Sequence, residues 1–171
     1  GIRDYKVTGV QTCALPILLL SCTKSKLSKP SPAQELYLAS PMFKKTLEYG
    51  KSLDPDKMYI LSAKHHLVPM TKVLSPYDKT LKEMKKDEKE KWAEETIKQM
   101  KSAGLSLDKD HFVFLTGSEY MKPLKPYIKN IETPMEGKRL GERLGWLNSQ
   151  INKLKEAFNR LKNMIYECLS R

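Results

Sequence analysis

Three short apolar runs constrain the fold of this chain more than any other feature. They span residues 17–20, 58–62 and 111–115, and polar residues follow each run at once. Continuous apolar runs of this length are typical of strands that are buried on both faces of a parallel sheet. Because helical patterns lie between the runs, the sequence predicts an α/β three-layer sandwich with a short, mostly parallel sheet.

Amphipathic spacing predicts helices over residues 41–51 and 80–103. A further helix is predicted after Tyr120, to about residue 128. A last amphipathic helix is predicted to begin near Lys138, and its apolar residues from Leu140 to Cys168 alternate steps of four and three. That spacing is a heptad seam, longer than one small domain covers. We therefore predict an α/β domain over residues 18–147 and a helical extension over 148–171 that packs on the domain or pairs with a second copy.

The first residues, from Gly1 to about Ile17, follow neither helical nor strand periodicity. Back-translated, they resemble the two constant parts of a common short-read library adapter, and Tyr5 and Lys6 stand where a sample index would fall. We expect residues 1–17 to be an adapter-derived artefact in place of a missing native start. Cys13 then has no part in the cysteine chemistry.

Composition narrows the class of partner and the setting. The formal net charge of +11 favours a polyanion, nucleic acid before a membrane surface. Cys22 and Cys168 are far apart and have no partners at metal-binding spacing, so we expect a reducing, cytoplasmic setting with no disulfide and no metal. No apolar run reaches membrane-spanning length.

The loop after the first strand is rich in hydroxyls and lysines. Ser21, Lys24 and Lys26 are candidates for holding a phosphate or a polar base edge. The loop lacks the glycines and the spacing of a P-loop. Lysines beside Cys22 would favour a thiolate, but a buried strand-end cysteine is the simpler interpretation.

Polar groups also follow the second strand. His65, at a strand end, is a candidate general acid or donor to a developing anion, and Lys64 precedes it. His66 is interpreted as a surface residue. Further on, residues 75–78 are predicted to form a turn in which Tyr77 could stack on a base and Asp78 could orient water, although Asp78 is equally suited to capping the next helix.

Two more positions complete the candidate set. Glu35, followed by Tyr37, is either a salt-bridge partner of nearby lysines or a second carboxylate of the site. Gly117 after the third strand permits close backbone approach, and Tyr120 follows it. Because ligands of parallel α/β folds bind at the carboxyl ends of strands, all these clusters are expected at one edge of the sheet.

Taken in order, these motifs resemble a small family of unknown function from bacteria, archaea and phages, over roughly residues 18–147. The motifs are CTKSKL (22–27), ELY (35–37), SPMF (40–43), YILSAKHHLV (59–68), PYDKTL (76–81), GSEYMKPL (117–124) and GKRLGERLGWL (137–147). His66 departs from the pattern, since the family more usually has Gly there. A side chain at that position disfavours a left-handed turn.

The family is similar, more distantly, to the uracil-DNA-glycosylase-like superfamily, whose fold is a three-layer α/β sandwich, and to anti-phage glycosylases that excise a modified base. The resemblance implies a DNA N-glycosylase without a cofactor, with DNA favoured over RNA and a target base flipped into the pocket. The implied roles are water activation or sugar stabilisation by Asp78 or Glu35, stabilisation of the departing base by His65 and Lys64, phosphate contacts from Ser21, Lys24 and Lys26, and base stacking on Tyr37, Tyr77 and Tyr120.

Two other function classes fit the same sequence. One is a non-catalytic basic module that binds DNA or RNA, and the other is a nucleotide or nucleoside hydrolase or transferase. A binding module predicts salt-dependent affinity that survives loss of Asp78 and His65. A small-molecule enzyme predicts turnover of free nucleotides and little DNA affinity at physiological salt.

Overall fold

A computed structural model of the chain describes residues 15–169, without the side chain of residue 167. Residues 1–14 of the expected artefact therefore lie outside the described residues. Its last residue, Ile17, begins the first strand. The strands are β1 Ile17–Ser21, β2 Ser31–Pro32, β3 Lys57–Ser62, β4 His66–Pro69, β5 Val73–Leu74, β6 Phe112–Leu115 and β7 Ile131–Glu132. The α-helices are α1 Ala33–Leu36, α2 Pro41–Ser52, α3 Lys86–Ser102, α4 Ser118–Met121 and α5 Leu140–Leu169.

The main sheet confirms the predicted fold class. Its strand order is β4-β3-β1-β6-β7, with β1 parallel to both β3 and β6, and β7 parallel to β6. β4 folds back on β3 as the antiparallel edge. Central β1 carries Leu18, Leu19 and Leu20 at zero exposure, because both faces of the strand are covered. β2 and β5 form a separate two-stranded ribbon.

Helices cover both faces of this sheet. The chain passes from β1 to β3 through α2 and then back across β1 to β6 through α3. Right-handed crossovers in opposite directions place α2 and α3 on opposite faces. α2 lies close to the sheet at Gly50, where a Cβ would be 3.1 Å from Met58 Cε and 3.3 Å from Leu18 Cδ1. α5 packs on α2, with Tyr49 and Trp146 in an edge-to-face contact at 5.1 Å.

The helix predicted over residues 80–103 is wrong at its start. Thr80 caps a single 3-10 turn, Leu81–Glu83, and Met84 then has extended backbone with ψ 141°. α3 begins afresh at Lys86, where the Glu88 carboxylate accepts a hydrogen bond from the Lys85 backbone N–H at 2.8 Å. The break lets Leu81 turn inward, and its side chain is fully buried.

Two further local predictions fail. The helix predicted up to residue 128 is only α4 followed by the 3-10 turn Lys125–Tyr127, because Pro123 and Pro126 cannot donate helical hydrogen bonds. Residues 75–78 do not turn, and they run as an irregular segment from β5 towards α3. Tyr77 holds this segment to the sheet through a hydrogen bond with Ser62, the last residue of β3.

The long C-terminal helix is confirmed as α5. Its seam is buried at Leu147 and Ile151, which are 0 % and 4 % exposed. Beyond them the same seam is open, with Phe158 at 67 % and Leu161 at 55 % exposure. Among the described residues, no helix is both long and apolar enough to cross a membrane.

Candidate functional site at the carboxyl edge of the sheet

The candidate site lies where three parallel strands end together. Ser21 ends β1, Ser62 ends β3 on one side of it, and Thr116 directly follows β6 on the other side. The connections from β1 and from β3 leave in opposite directions, so this edge is the switch point at which open α/β sheets form a crevice. The loops that carry Lys26, His65 and Gly117 start from these strand ends, as the sequence predicted.

A chain of hydroxyl groups fixes the centre of the site. Ser62 Oγ accepts the backbone N–H groups of Lys64 at 3.2 Å and His65 at 2.9 Å. It also lies 2.7 Å from Tyr77 Oη, which is 2.8 Å from Tyr37 Oη. Because both lone pairs of Ser62 are occupied, its hydroxyl donates to Tyr77, which in turn donates to Tyr37.

Burial keeps these phenols protonated. Desolvation raises the pKa of Tyr37 to about 12, although the hydrogen bond from Tyr77 acts in the other direction. Desolvation also raises the pKa of Tyr77 far above its usual value. Both side chains are therefore neutral hydrogen-bonding groups at neutral pH. Tyr37 is fully buried, whereas the Tyr77 ring is half-buried and borders solvent.

Cationic and aromatic side chains surround the Tyr77 ring. Lys26 Nζ lies 4.3 Å from the ring centroid and Lys64 Nζ lies 5.8 Å from it. The His65 ring meets Tyr77 edge to face at 5.2 Å. The ring is thus the centre of a compact basic cluster. We call it the Tyr77 cluster and define it as Lys26, Lys64, His65 and Tyr77. Asp78 is adjacent to it, directly after Tyr77 in the chain.

The charges of the cluster are set by partial burial. Desolvation lowers the pKa of Lys26, while the nearby Asp78 carboxylate acts to raise it. Lys26 Nζ donates to the carbonyl oxygens of Thr23 at 2.9 Å and Lys24 at 3.2 Å, so its position is fixed. Desolvation also lowers the pKa of His65, with a further contribution from the Lys64 charge. His65 is consequently neutral at neutral pH and keeps one N–H to donate.

Cys22 and Tyr120 lie beneath the cluster. They are 7 % and 9 % exposed, and Cys22 Sγ is 3.1 Å from Tyr120 Oη. Tyr120 also packs edge to face on Trp92, whose Nε1–H donates to the Ser62 carbonyl at 2.8 Å. These contacts place Cys22 as a buried strand-end cysteine. With Tyr37 and Tyr120 buried, Tyr77 is the accessible ring among the three tyrosines predicted to stack.

The remaining predicted residues are exposed around this edge. Lys24, Lys64 and Asp78 have exposed side chains. Glu35 lies on the short helix α1, and its exposed side chain makes no hydrogen bond or ion pair with any residue that the structure describes. Asp78 is thus the carboxylate next to the cluster, and Glu35 stands apart from it.

The prediction that His66 is a surface residue is wrong. His66 is half-buried and lies against Trp92, with ring centroids 6.3 Å apart. Its Nδ1 is buried and has no hydrogen-bond partner among residues 15–169. Its φ of 60° lies in the left-handed region, which glycine adopts without strain and other residues adopt less readily. The hairpin from β3 to β4 requires this conformation, and the histidine adopts it.

Sequence reasoning missed several residues that the fold brings to this edge. Ser62 is the centre of the hydroxyl chain, and Trp92 donates a hydrogen bond to its carbonyl oxygen. The position of Ser62 at the end of a predicted strand could have marked it as a candidate. Thr116 and Arg143 line a small pocket with Ser21 and Gly117, next to the Tyr77 cluster along the strand ends. Arg143 lies within the GKRLGERLGWL motif, which gave no hint of its position.

No group of three or more potential metal ligands occurs among residues 15–169. Both cysteines within that range, Cys22 and Cys168, are free thiols.

Comparison with known proteins identifies a family. The family model described as "Family of unknown function (DUF6884)" matches residues 17–149 of the chain. The chain belongs to this family. No curated protein and no solved structure matches the chain.

The family match agrees with the extent predicted from the motifs. It begins at Ile17, the first residue of β1, and includes every member of the Tyr77 cluster as well as Arg143. It ends at residue 149 within α5, close to the point at which the seam of that helix becomes exposed. In this DUF6884 member, the candidate site therefore lies inside the family domain.

Proposed function

We propose that this chain hydrolyses the N-glycosidic bond of a nucleobase in DNA. The Tyr77 cluster is the observation that carries the proposal. It offers a half-exposed aromatic face, two lysine ammonium groups, a neutral histidine and an adjacent carboxylate at the strand-end crevice. An extruded base needs a stacking surface and hydrogen-bond donors, and the bond to be broken needs a carboxylate.

Each member of the cluster has a role in this reaction. The base stacks on Tyr77, and the carboxylate of Asp78 orients water and stabilises positive charge on the sugar. The C1′–N bond breaks as the water oxygen bonds to C1′. One water proton passes to the departing base, whose negative charge is stabilised by the N–H of His65 and by Lys64.

The charge of the whole chain supports a nucleic-acid substrate. The net charge is +11, and both Lys64 of the cluster and Lys24 of the loop after β1 are exposed. Phosphates that flank a flipped base would lie against such lysines. If the excised base is a modified one, the activity would act against phage DNA. Such a role fits a reducing, cytoplasmic setting.

The test is base excision in vitro. Protein is incubated with DNAs that carry normal, uracil, hydroxymethylated or glucosylated bases, and abasic sites are revealed by alkaline cleavage. We expect strand breaks on one of these DNAs and their loss in Asp78→Asn and His65→Gln. Asp56→Asn is the matched control, because Asp56 is exposed before the amino end of β3, at the opposite edge of the sheet.

Other outcomes would replace the proposal. Absence of breaks on every DNA, with salt-dependent DNA binding intact, would make the chain a non-catalytic binding module. Absence of both, with hydrolysis of free nucleotides or nucleosides, would make it a small-molecule enzyme that uses the same site.

We also propose a second copy of the chain as a partner, through the exposed part of α5. The apolar stripe there continues the buried seam in register, with Leu154, Phe158, Leu161 and Ile165 each at least 40 % exposed. Heptad seams of this kind are covered by another helix in coiled coils. Identical seams on two copies satisfy each other around a two-fold axis.

A further inference from the structure

A small pocket lies beside the Tyr77 cluster, between β1, β6 and α5. Ser21 and Thr23 border it from the end of β1, Thr116 and Gly117 from the end of β6, and Arg143 from α5. The cavity holds about 20 Å³. That volume accommodates one or two water-sized groups and excludes a nucleobase.

Arg143 supplies the charge of the pocket. Its Nε–H donates to the Lys138 carbonyl oxygen at 2.8 Å, which orients the guanidinium group. The side chain is half-buried and makes no ion pair with a carboxylate among residues 15–169, and none of the residues that line the pocket is acidic. A positioned guanidinium without a counter-charge is the usual arrangement for binding an oxyanion.

Thr116 supplies an independent indication of a ligand. The residue is 7 % exposed, and its Oγ1 is buried without a hydrogen-bond partner among the described residues. Leaving a buried hydroxyl unpaired is unfavourable, so such groups are usually satisfied by a ligand or by water. The Ser21 hydroxyl, on the other wall, likewise has no partner among the described residues.

Gly117 keeps the pocket open for the guanidinium. A Cβ at this position would lie 2.9 Å from Arg143 Nη1, closer than such atoms approach. The backbone at Gly117 has φ −77°, which any residue adopts, so the missing side chain matters for space and not for conformation.

We propose that this pocket binds a phosphate group, with Arg143 as the charged donor and Thr116 and Ser21 as hydroxyl donors. The proposal is independent of base excision, since it uses no member of the Tyr77 cluster. A phosphate of this kind comes either from a nucleic-acid backbone or from a free nucleotide. The oxygens enter the cavity, and the rest of either molecule stays outside, along the strand ends.

The test uses inorganic phosphate as the probe, with calorimetry on the full chain. Arg143→Gln is expected to weaken phosphate binding at least tenfold, and Thr116→Val several-fold. Arg160→Gln is the control for net charge, because Arg160 is 80 % exposed on α5 and pairs with Glu156 at 3.7 Å. Equal phosphate affinity in Arg143→Gln and Arg160→Gln would overturn the proposal.

A second variant keeps the test decisive if Arg143→Gln does not fold. Gly117→Ala retains the positive charge but displaces the guanidinium, so it is expected to weaken phosphate binding as well. Unchanged affinity in Gly117→Ala would contradict the proposed geometry. Asp78→Asn should bind phosphate as tightly as the unmodified chain does, which separates this proposal from the glycosidase proposal.

The source of the phosphate is identified by two further ligands. A nucleoside monophosphate and a single-stranded oligonucleotide without a terminal phosphate are each titrated into the unmodified chain and into Arg143→Gln. A tenfold loss confined to the monophosphate assigns the pocket to free nucleotides. A loss confined to the oligonucleotide assigns it to a backbone phosphate. Loss for neither ligand would overturn the proposal.

Discussion

At the scale of single residues, Ser62 and Tyr77 determine the shape of the site. Ser62 Oγ accepts two backbone N–H groups of the hairpin turn and so fixes the positions of Lys64 and His65. Its own hydroxyl fixes Tyr77, around which the lysines and the histidine gather. This hydrogen-bonded chain thus places Lys64, His65 and Tyr77, whereas Lys26 is held by the carbonyl oxygens of its own loop.

The contribution of this chain can be measured with Tyr77→Phe. The substitution leaves the fully buried Tyr37 hydroxyl without its partner, and an unsatisfied buried group costs about 1–3 kcal/mol. We expect the free energy of unfolding in urea to fall by about that amount. Tyr127→Phe, at a residue that is 45 % exposed, should change it little. Equal effects of both substitutions would contradict the hydrogen-bonded chain.

The histidines predict a pH dependence of stability. Burial is the main cause that lowers the pKa of both His65 and His66 below 6.5 in the folded chain. As the pH falls, the histidines of the unfolded chain are protonated before those of the folded chain. The stability that the neutral histidines contribute is therefore fully present above about pH 6.5. It is lost as the pH falls from there through the lower pKa values of the folded chain.

The measurement is urea unfolding at about pH 7.5 and about pH 5, on either side of the ordinary histidine pKa. His66→Asn should lose less stability between the two, and Asn also tolerates the φ of 60° at this position. The same loss in His66→Asn and in the unmodified chain would show that His66 makes no contribution.

At the scale of elements, helix packing distinguishes two glycines. Gly145 lies in the interior of α5, and apart from the helix's own backbone no atom of residues 15–169 is within 4 Å of the position of an added Cβ. Gly145→Ala should therefore raise the free energy of unfolding by up to about 1 kcal/mol. Gly50 in α2 faces Met58 and Leu18 at 3.1 and 3.3 Å, and crowding there offsets the helical gain. In urea unfolding, Gly145→Ala should have a higher free energy of unfolding than Gly50→Ala. The reverse order would mean that Met58 and Leu18 move aside easily for a methyl group on α2.

The exposed half of α5 predicts self-association. Light scattering should give a mass that rises towards that of a dimer with concentration, and Phe158→Glu should keep the chain monomeric by placing a charge in the seam. Asn163→Glu, an exposed position on the outer face of the same helix, is the control. A monomer mass at every concentration would remove the dimer proposal.

At the scale of the whole molecule, charge and topology act together. The basic loops at the carboxyl edge belong to a chain whose net charge is +11. DNA affinity should therefore fall steeply with salt. Lys24→Ala should reduce the steepness of log affinity against log salt concentration by about the amount that one phosphate contact contributes. Lys57→Ala is the control, because Lys57 is exposed at the amino end of β3, at the opposite edge of the sheet. Equal slopes in the two variants would argue against DNA at the carboxyl edge.

Much of the fold was predictable from local pattern. The positions of β1, β3 and β6 follow from apolar runs that only a doubly covered strand can bury, and α2 follows from its apolar face and the proline after Ser40. Residues 80–103 were predicted as one helix because the break at Met84 depends on Leu81 packing inward, which no local periodicity reveals.

The sequence by itself determined which strands lie at the centre and which loops end at the same edge, because burial and the strand-end rule act locally along the chain. Only the tertiary structure decided which of those side chains meet. Ser62 reaches Tyr77, Cys22 reaches Tyr120, and Gly117 makes room for Arg143. These pairs are distant in the sequence, and their contacts depend on the path of the crossovers and on close packing around the sheet, which no spacing of residues encodes.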